Sequence, residues 1–307
     1  MANHVASAPS AAPRRSPGRL GGLLREARPK QWAKNVLVFA APGAAGQLGD
    51  SGVLGRTLLV FAAFCCLASG LYFLNDLADV EADRLHPRKR RRPIASGVVP
   101  VGLAIAVATL LLLTGLGLSA ALGWRTLLVG GLYVAATLAY SARLKHEVVL
   151  DLACVASGFV LRAIAGGTAT NVLISKWFLI VAGAGSMFMV AGKRHAEFVE
   201  MGEDRGSTRV SLQGYTLAYL RFVWMLSSSV AIGAYALWAF EDGAVKLDPV
   251  FAQLSIVPFT LALLRYALDI EQGHGGAPED VVLGDRALQA LGLVWLVTFA
   301  VGVHLGG

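Results

Sequence analysis

The stretch from Asn75 to Gly97, NDLADVEADRLHPRKRRRPIASG, gathers four acidic residues within eight positions and then five consecutive basic ones. On a helix, Asn75, Asp79 and Asp83 fall at i, i+4 and i+8 and line one face, with Asp76 one turn from Asp79. Oxygen donors along such a ridge suit a hard cation, and Mg2+ keeps waters and prefers phosphate oxygens as co-ligands. Lys89 and Arg92, in the basic run, carry donors suited to those oxygens. Acid ridge, Mg2+ and basic loop together describe a diphosphate site. The competing reading is a cytoplasmic stop signal with solvated carboxylates. It accounts for the basic run, which membrane topology produces anyway. It does not account for paired acids at a membrane boundary, which are costly.

A second cluster lies in YSARLKHEVVLDLACVASGFVLRAIAGG, from Tyr140 to Gly167. Tyr140 and Lys145 end one apolar segment, Asp151 opens the next, and Arg162 lies deeper, 11 positions on and on the same helical face. These residues make either a structural ion-pair network or a second anion or metal pocket facing the first. In the third cluster, AGKRHAEFVE, Lys193 and Arg194 either anchor a helix end at the interface or continue the same polar cavity. Lys34, in QWAKN, opens an apolar segment, where snorkelling would explain it. His86 and His195 lack metal-ligand spacing and read as solvated loop residues.

The elements that must position these side chains are membrane helices. The chain has 307 residues, 55% hydrophobic and 15% charged, and the apolar residues come in blocks long enough to cross a bilayer. Nine spans are predicted, at 33–49, 53–75, 99–119, 124–141, 149–168, 173–192, 214–239, 249–270 and 286–305. Residues 1–24, rich in Ala, Pro, Ser and Arg, read as a disordered cytoplasmic tail, and residues 25–307 as the transmembrane domain. Of the 27 Lys and Arg residues, 22 fall on one set of alternate loops. That places the N-terminus and the charged loops in the cytoplasm and the C-terminus outside. The net charge of +7 is therefore a topology signature and not a nucleic-acid footprint. Cys65, Cys66 and Cys154 lie inside apolar blocks and argue for neither a disulfide nor zinc.

NDLADVEAD matches the N-D-x-x-D-x-x-x-D signature of the UbiA superfamily of intramembrane prenyltransferases, and the chain resembles that family. RPKQWAKN, DRLHPRKRRRPIASG, YSARLKHEVVLDL, SGFVLRAIAGG and GKRHAE are more narrowly similar to an actinobacterial branch of it. The resemblance implies an all-α integral membrane protein, a helical bundle around a central cavity open to the cytoplasmic side, in the plasma membrane. It implies Mg2+ as cofactor, held by Asn75, Asp76, Asp79 and Asp83. In that branch the donor is 5-phosphoribosyl 1-diphosphate and the acceptor a polyprenyl (decaprenyl) phosphate, and the product feeds arabinan synthesis for the cell wall. Asn75, Asp79 and Asp83 would then be the catalytic metal–diphosphate ligands. Lys34, Lys89, Arg92, Tyr140, Lys145, Asp151, Arg162, Lys193 and Arg194 would bind substrate. The family's second aspartate-rich motif is reduced here to Asp151, which suits a pocket for a second phosphate. A homo-oligomer stays open. So do two alternatives: a conventional member with an aromatic acceptor, and a transporter, whose inverted repeat of charged motifs is not seen in the second half.

Overall fold

The computed structural model describes residues 18–87, 89–201, 210–241, 247–272 and 278–306. Helices α1 (Arg19–Glu26), α2 (Ala40–Ala44), α3 (Ser51–Ala78), α4 (Val80–Leu85), α5 (Val101–Leu122), α6 (Trp124–Ala142) and α7 (Leu150–Thr170) make the first half. The second comprises α8 (Lys176–Met201), α9 (Leu217–Phe240), α10 (Pro249–Leu254), α11 (Ile256–Glu271), α12 (Pro278–Gly284) and α13 (Arg286–Gly306). Among the described residues there is no strand.

Among the described residues, six spans are long and apolar enough to cross a bilayer: α3, α5, α7, α9, the pair α10–α11, and α13. Helices α6 and α8, of 19 and 26 residues, are long enough but less apolar, so the described residues do not confirm nine crossing helices. The first predicted span, 33–49, is not one helix. It is a 3-10 segment, Pro29–Phe39, followed by the five-residue α2. The segment packs so closely on α7 that a Cβ on Gly166 would collide with the Val38 carbonyl. Residues 19–24, predicted as tail, are also helical, because Gly22 seats α1 against Val98 and Val99. The remainder of the predicted tail, 1–17, lies outside the described residues.

Local chemistry sets the helix ends. Asp50 caps α3 by accepting from the Val53 N–H at 2.8 Å, and Thr216 caps α9 through Tyr219 N–H. The tight α5–α6 turn runs through Gly123 at φ 129°, a region that favours glycine. Pro258 has no N–H to give the carbonyl of Leu254, and α10 breaks from α11 at Ser255.

One core joins α3, α6, α7 and the 3-10 segment through Val38, Phe64, Leu67, Val129, Tyr133 and Ala165. Another joins α8, α9 and α11 through Phe188, Trp224, Tyr266 and Ile270. Large apolar residues such as Ile105, Leu110 and Leu113 on α5, and Leu293, Leu296 and Val297 on α13, face outward, as lipid-facing surfaces do. At one end of the bundle, Arg56 donates to the carbonyls of Leu122 and Ala169, tying α3 to the ends of α5 and α7. The same end has a small hollow lined by Ala41, Leu173, Phe178 and Trp238. The acid ridge and Asp151 both lie at the other end.

Candidate active site

Helix α3 ends at Ala78, and Asp79 (φ −93°, ψ 3°) is the joint with α4. The helical bonds Asp79 N–H to Asn75 O (3.0 Å) and Asp83 N–H to Asp79 O (2.8 Å) cross that joint. The predicted ridge of Asn75, Asp79 and Asp83 therefore survives a bend. Below it, Cys65, Ser69, Tyr72 and Asp76 form one stripe of α3, and each meets the segment between Ala27 and Asn35. Asn35 donates to Cys65 Sγ, Trp32 Nε1–H to Ser69 Oγ, and Ser69 to the Ala27 carbonyl. Arg28 lies over the Tyr72 ring at 4.7 Å.

Two guanidinium groups are set into the ridge. Arg28 donates from Nη2 to both oxygens of Asp76, at 2.8 and 2.7 Å. Arg92 Nη1 bridges Asp76 Oδ1 (3.0 Å) and Asp83 Oδ2 (2.6 Å). Arg28 adopts a left-handed backbone (φ 51°, ψ 59°), an unfavourable conformation for an L-residue that delivers its side chain to Asp76. Beside this array lies Glu26, 1% exposed, whose two oxygens accept no hydrogen bond. Burial, reinforced by the neighbouring Asp76, pushes its carboxyl up to about 8 against the pull of Arg28 and Arg92. Two ionised carboxylates cannot hydrogen-bond to each other, but a protonated Glu26 can donate to Asp76. Asn75 and Asp79 are half-buried, and Lys89 is exposed in the short turn Lys89–Arg91.

The donors here are all oxygen, from Glu26, Asn75, Asp76, Asp79 and Asp83, which is the chemistry of a Mg2+ site. Glu26, buried and accepting no hydrogen bond, is the kind of group that a cation would satisfy. Among the described residues, however, no three His, Cys, Asp or Glu side chains converge on one point. Arg92 Nη1 stands between Asp76 and Asp83.

The second cluster forms around Asp151, which is fully buried. Arg194 grips it from two nitrogens, at 2.8 and 3.1 Å, and donates to Glu197 at 2.9 Å, while Tyr140 donates to Asp151 at 2.9 Å. Helix α7 begins just after Val149, whose backbone is left-handed at φ 71°, a strained state for a β-branched residue. The Tyr215 hydroxyl accepts from its N–H at 2.8 Å.

Arg162 does not meet Asp151, contrary to the same-face expectation. It donates instead to Asn35 Oδ1, the Gly158 carbonyl and the Tyr133 hydroxyl, at 2.7 to 2.8 Å, and lies over the Tyr133 ring. Its charge, 7% exposed, has no carboxylate partner among the described residues. Lys34 donates to Gln31, while Lys145 and Lys193 are half-buried. His86 is exposed, as predicted, but His195 is buried within α8, and Glu271 lies 4.0 Å away. Glu26, Arg28, Asn35 and Tyr133 were not singled out from the sequence. A lone acid among the basic residues of RLGGLLREARPK was the available signal for Glu26.

A helical membrane bundle with carboxylates and guanidinium groups at one end has the make-up of an intramembrane transferase acting on phosphorylated substrates. The UbiA prenyltransferase family matches residues 36–284, and the chain belongs to that family. It is 47% identical over 294 residues to the decaprenyl-phosphate phosphoribosyltransferase of Mycobacterium tuberculosis strain H37Rv, covering 94% of this chain and 96% of that one. The enzyme of the same name from Corynebacterium glutamicum is 46% identical over 291 residues, 92% of this chain and 87% of the relative. A UbiA homolog from Archaeoglobus fulgidus, solved bound to DMAPP and Mg2+, shares the fold at TM-score 0.70 and 18% identity, over 93% of this chain and 99% of that one.

Proposed function

We propose that this protein transfers the 5-phosphoribosyl group of 5-phosphoribosyl 1-diphosphate to a polyprenyl phosphate such as decaprenyl phosphate, releasing diphosphate. The observation that carries the reading is 47% identity, over 94% of the chain, to an enzyme named for that transfer. The chemistry of the site supports it. The donor carries a diphosphate and a 5-phosphate and the lipid brings another phosphate, so several negative charges must be neutralised at one membrane end. The Lys and Arg distribution supports a cytoplasmic location for that end.

In the transfer, the bond from C1 of the ribose to the diphosphate breaks, and its electron pair leaves on the diphosphate. An oxygen of the lipid phosphate forms the new bond from the opposite face and inverts C1. That phosphate is already ionised at neutral pH, so no side chain need remove a proton. Asn75, Asp76, Asp79 and Asp83 are the residues that would hold Mg2+, which when bound would neutralise the leaving diphosphate. Arg92, which bonds to Asp76 and Asp83, and Lys89 in the turn before it would bind diphosphate oxygens. Asp151, with Tyr140, Lys145, Lys193 and Arg194 around it, and Arg162 with Lys34 deeper in, would form the remainder of the pocket. The product would serve as a precursor for cell-wall arabinan.

The test is purified protein in detergent with polyprenyl phosphate and labelled phosphoribosyl diphosphate, with and without Mg2+. Label entering the lipid fraction only with Mg2+ is the expected result. Prenyl transfer from a prenyl diphosphate to an aromatic acceptor, without any phosphoribosyl donor, would instead identify a conventional family member.

A further inference from the structure

Arg92 Nη1 lies 3.0 Å from Asp76 Oδ1 and 2.6 Å from Asp83 Oδ2, where one cation bridging two ridge carboxylates would lie. Arg28 closes the remaining side of Asp76. This corner holds the carboxylates of Asp76, Asp79 and Asp83 and the two guanidinium groups of Arg28 and Arg92, with the carboxyl of Glu26 beside them. Glu26, almost fully buried, accepts no hydrogen bond at either oxygen and is a further oxygen donor beside the ridge.

Asp76 Oδ1 already accepts from both arginines, which takes up its lone pairs, and Arg92 Nη1 fills the gap between Asp76 and Asp83. For a metal to bind between those carboxylates, Arg92 must leave them and Arg28 must give up at least part of its hold on Asp76. The two arginine side chains, 33% and 29% exposed, have room to turn, and a diphosphate presents paired oxygens that match their forks. The arriving diphosphate supplies the arginines with new partners at the moment when the metal needs the old ones. Resting on the metal–diphosphate reading of the ridge, we propose that Arg28 is a further diphosphate-binding residue. Together with Arg92 it stands on the metal-binding carboxylates until metal and diphosphate arrive. Metal and diphosphate then favour each other's binding, because each removes the obstacle to the other. The left-handed backbone of Arg28 and its seat on Tyr72 keep it beside Asp76 in the waiting state.

Two binding measurements on the full chain in detergent test this. Binding of Mn2+ alone is followed by the loss of the free-ion resonance signal, and binding of labelled inorganic diphosphate at saturating Mg2+ by equilibrium dialysis. Arg28→Gln and Arg92→Gln should each bind Mn2+ alone about tenfold more tightly than the parent, within the usual range of site coupling. Both should bind diphosphate more weakly. Opposite signs in one variant cannot come from loosened packing, and if Arg92→Gln does not fold, Arg28→Gln carries the test alone. Asp83→Asn separates the underlying reading from the inference. If it weakens Mn2+ binding while neither arginine variant strengthens it, the ridge is the metal site and the inference is wrong. If Asp83→Asn leaves Mn2+ binding unchanged, the metal reading of the ridge fails, and the inference with it.

Discussion

Replacing Arg194 with Met tests what holds the second cluster together. Arg194 is 2% exposed and Asp151 fully buried, and three of the guanidinium's hydrogen bonds end on carboxylates, two on Asp151 and one on Glu197. In Arg194→Met, Asp151 keeps the Tyr140 hydroxyl but loses the Arg194 guanidinium, while Glu197, at 17% exposure, can turn toward water. Removing one partner of a buried ion pair costs about 3–5 kcal/mol. Arg194→Met should therefore melt well below the parent by scanning fluorimetry in detergent, and Asp151→Asn, which leaves Arg194 with Glu197, should lose less. The double variant Asp151→Asn with Arg194→Met should recover most of the loss, since both charges of the broken pair are then removed. If Arg194→Met melts like the parent but has no turnover, Arg194 serves substrate and the pairing argument is refuted. If the double variant is less stable than Arg194→Met, the charge balance is not what stabilises the pair.

Other substitutions separate the remaining roles. Asp79→Asn and Asp83→Asn should stay folded and lose about a hundredfold or more of Mg2+-dependent turnover, as expected where a metal supplies several kcal/mol of charge stabilisation; near-normal rates in both would remove the ridge from the chemistry. Arg162→Lys keeps the charge but loses the fork that reaches Asn35 and Tyr133, so turnover should fall, and fall further in Arg162→Met. Adding Asp151→Asn should not rescue Arg162→Met, and a rescue in the rate assay would mean that the two charges are coupled after all. For Glu26, a carboxyl raised in the folded state holds its proton more tightly than in the unfolded chain, so its stabilising proton is progressively lost as pH rises from about the ordinary value of 4.5 to about 8. The charged and polar neighbours in that balance are Asp76, Arg28 and Arg92. Metal-free Glu26→Gln should accordingly melt close to the parent at low pH and above it at pH 8 or higher; the reverse order in melting curves would contradict the assignment. Single cysteines at Ser96 and Leu173, both exposed at opposite ends, should label from the cytoplasm and from outside respectively in a chain lacking Cys65, Cys66 and Cys154. Reversed labelling would invert the topology.

What the sequence disclosed follows the range of its periodicities. The spacing of Asn75, Asp79 and Asp83 is local, and it survived the bend at Asp79 because the backbone bonds continue across it. The long apolar runs became helices for the same reason. The partners of those side chains were not legible. Arg28 meets Asp76 across 48 positions, Arg194 meets Asp151 across 43, and Arg162 meets Asn35 across 127. No helical period encodes such pairs. Pairing Asp151 with Arg162 respected the face of the helix but not the distance, since 11 residues rise about 16 Å along the axis. The 3-10 segment was hidden because its apolar content resembles a span. What sets it apart is the close approach at Gly166 and the hydrogen bonds to α3, both of which are tertiary. Glu26 was hidden by a neighbourhood whose composition reads as tail.

The measurement that bears most directly on the central claim is the transfer itself, in purified protein given polyprenyl phosphate and phosphoribosyl diphosphate labelled in the ribose. The account predicts a labelled lipid that forms only with Mg2+, together with one equivalent of free diphosphate, and that is lost in Asp83→Asn. Labelled lipid that forms equally well without a divalent ion, or no labelled lipid from a folded protein that accepts a prenyl diphosphate instead, would contradict it.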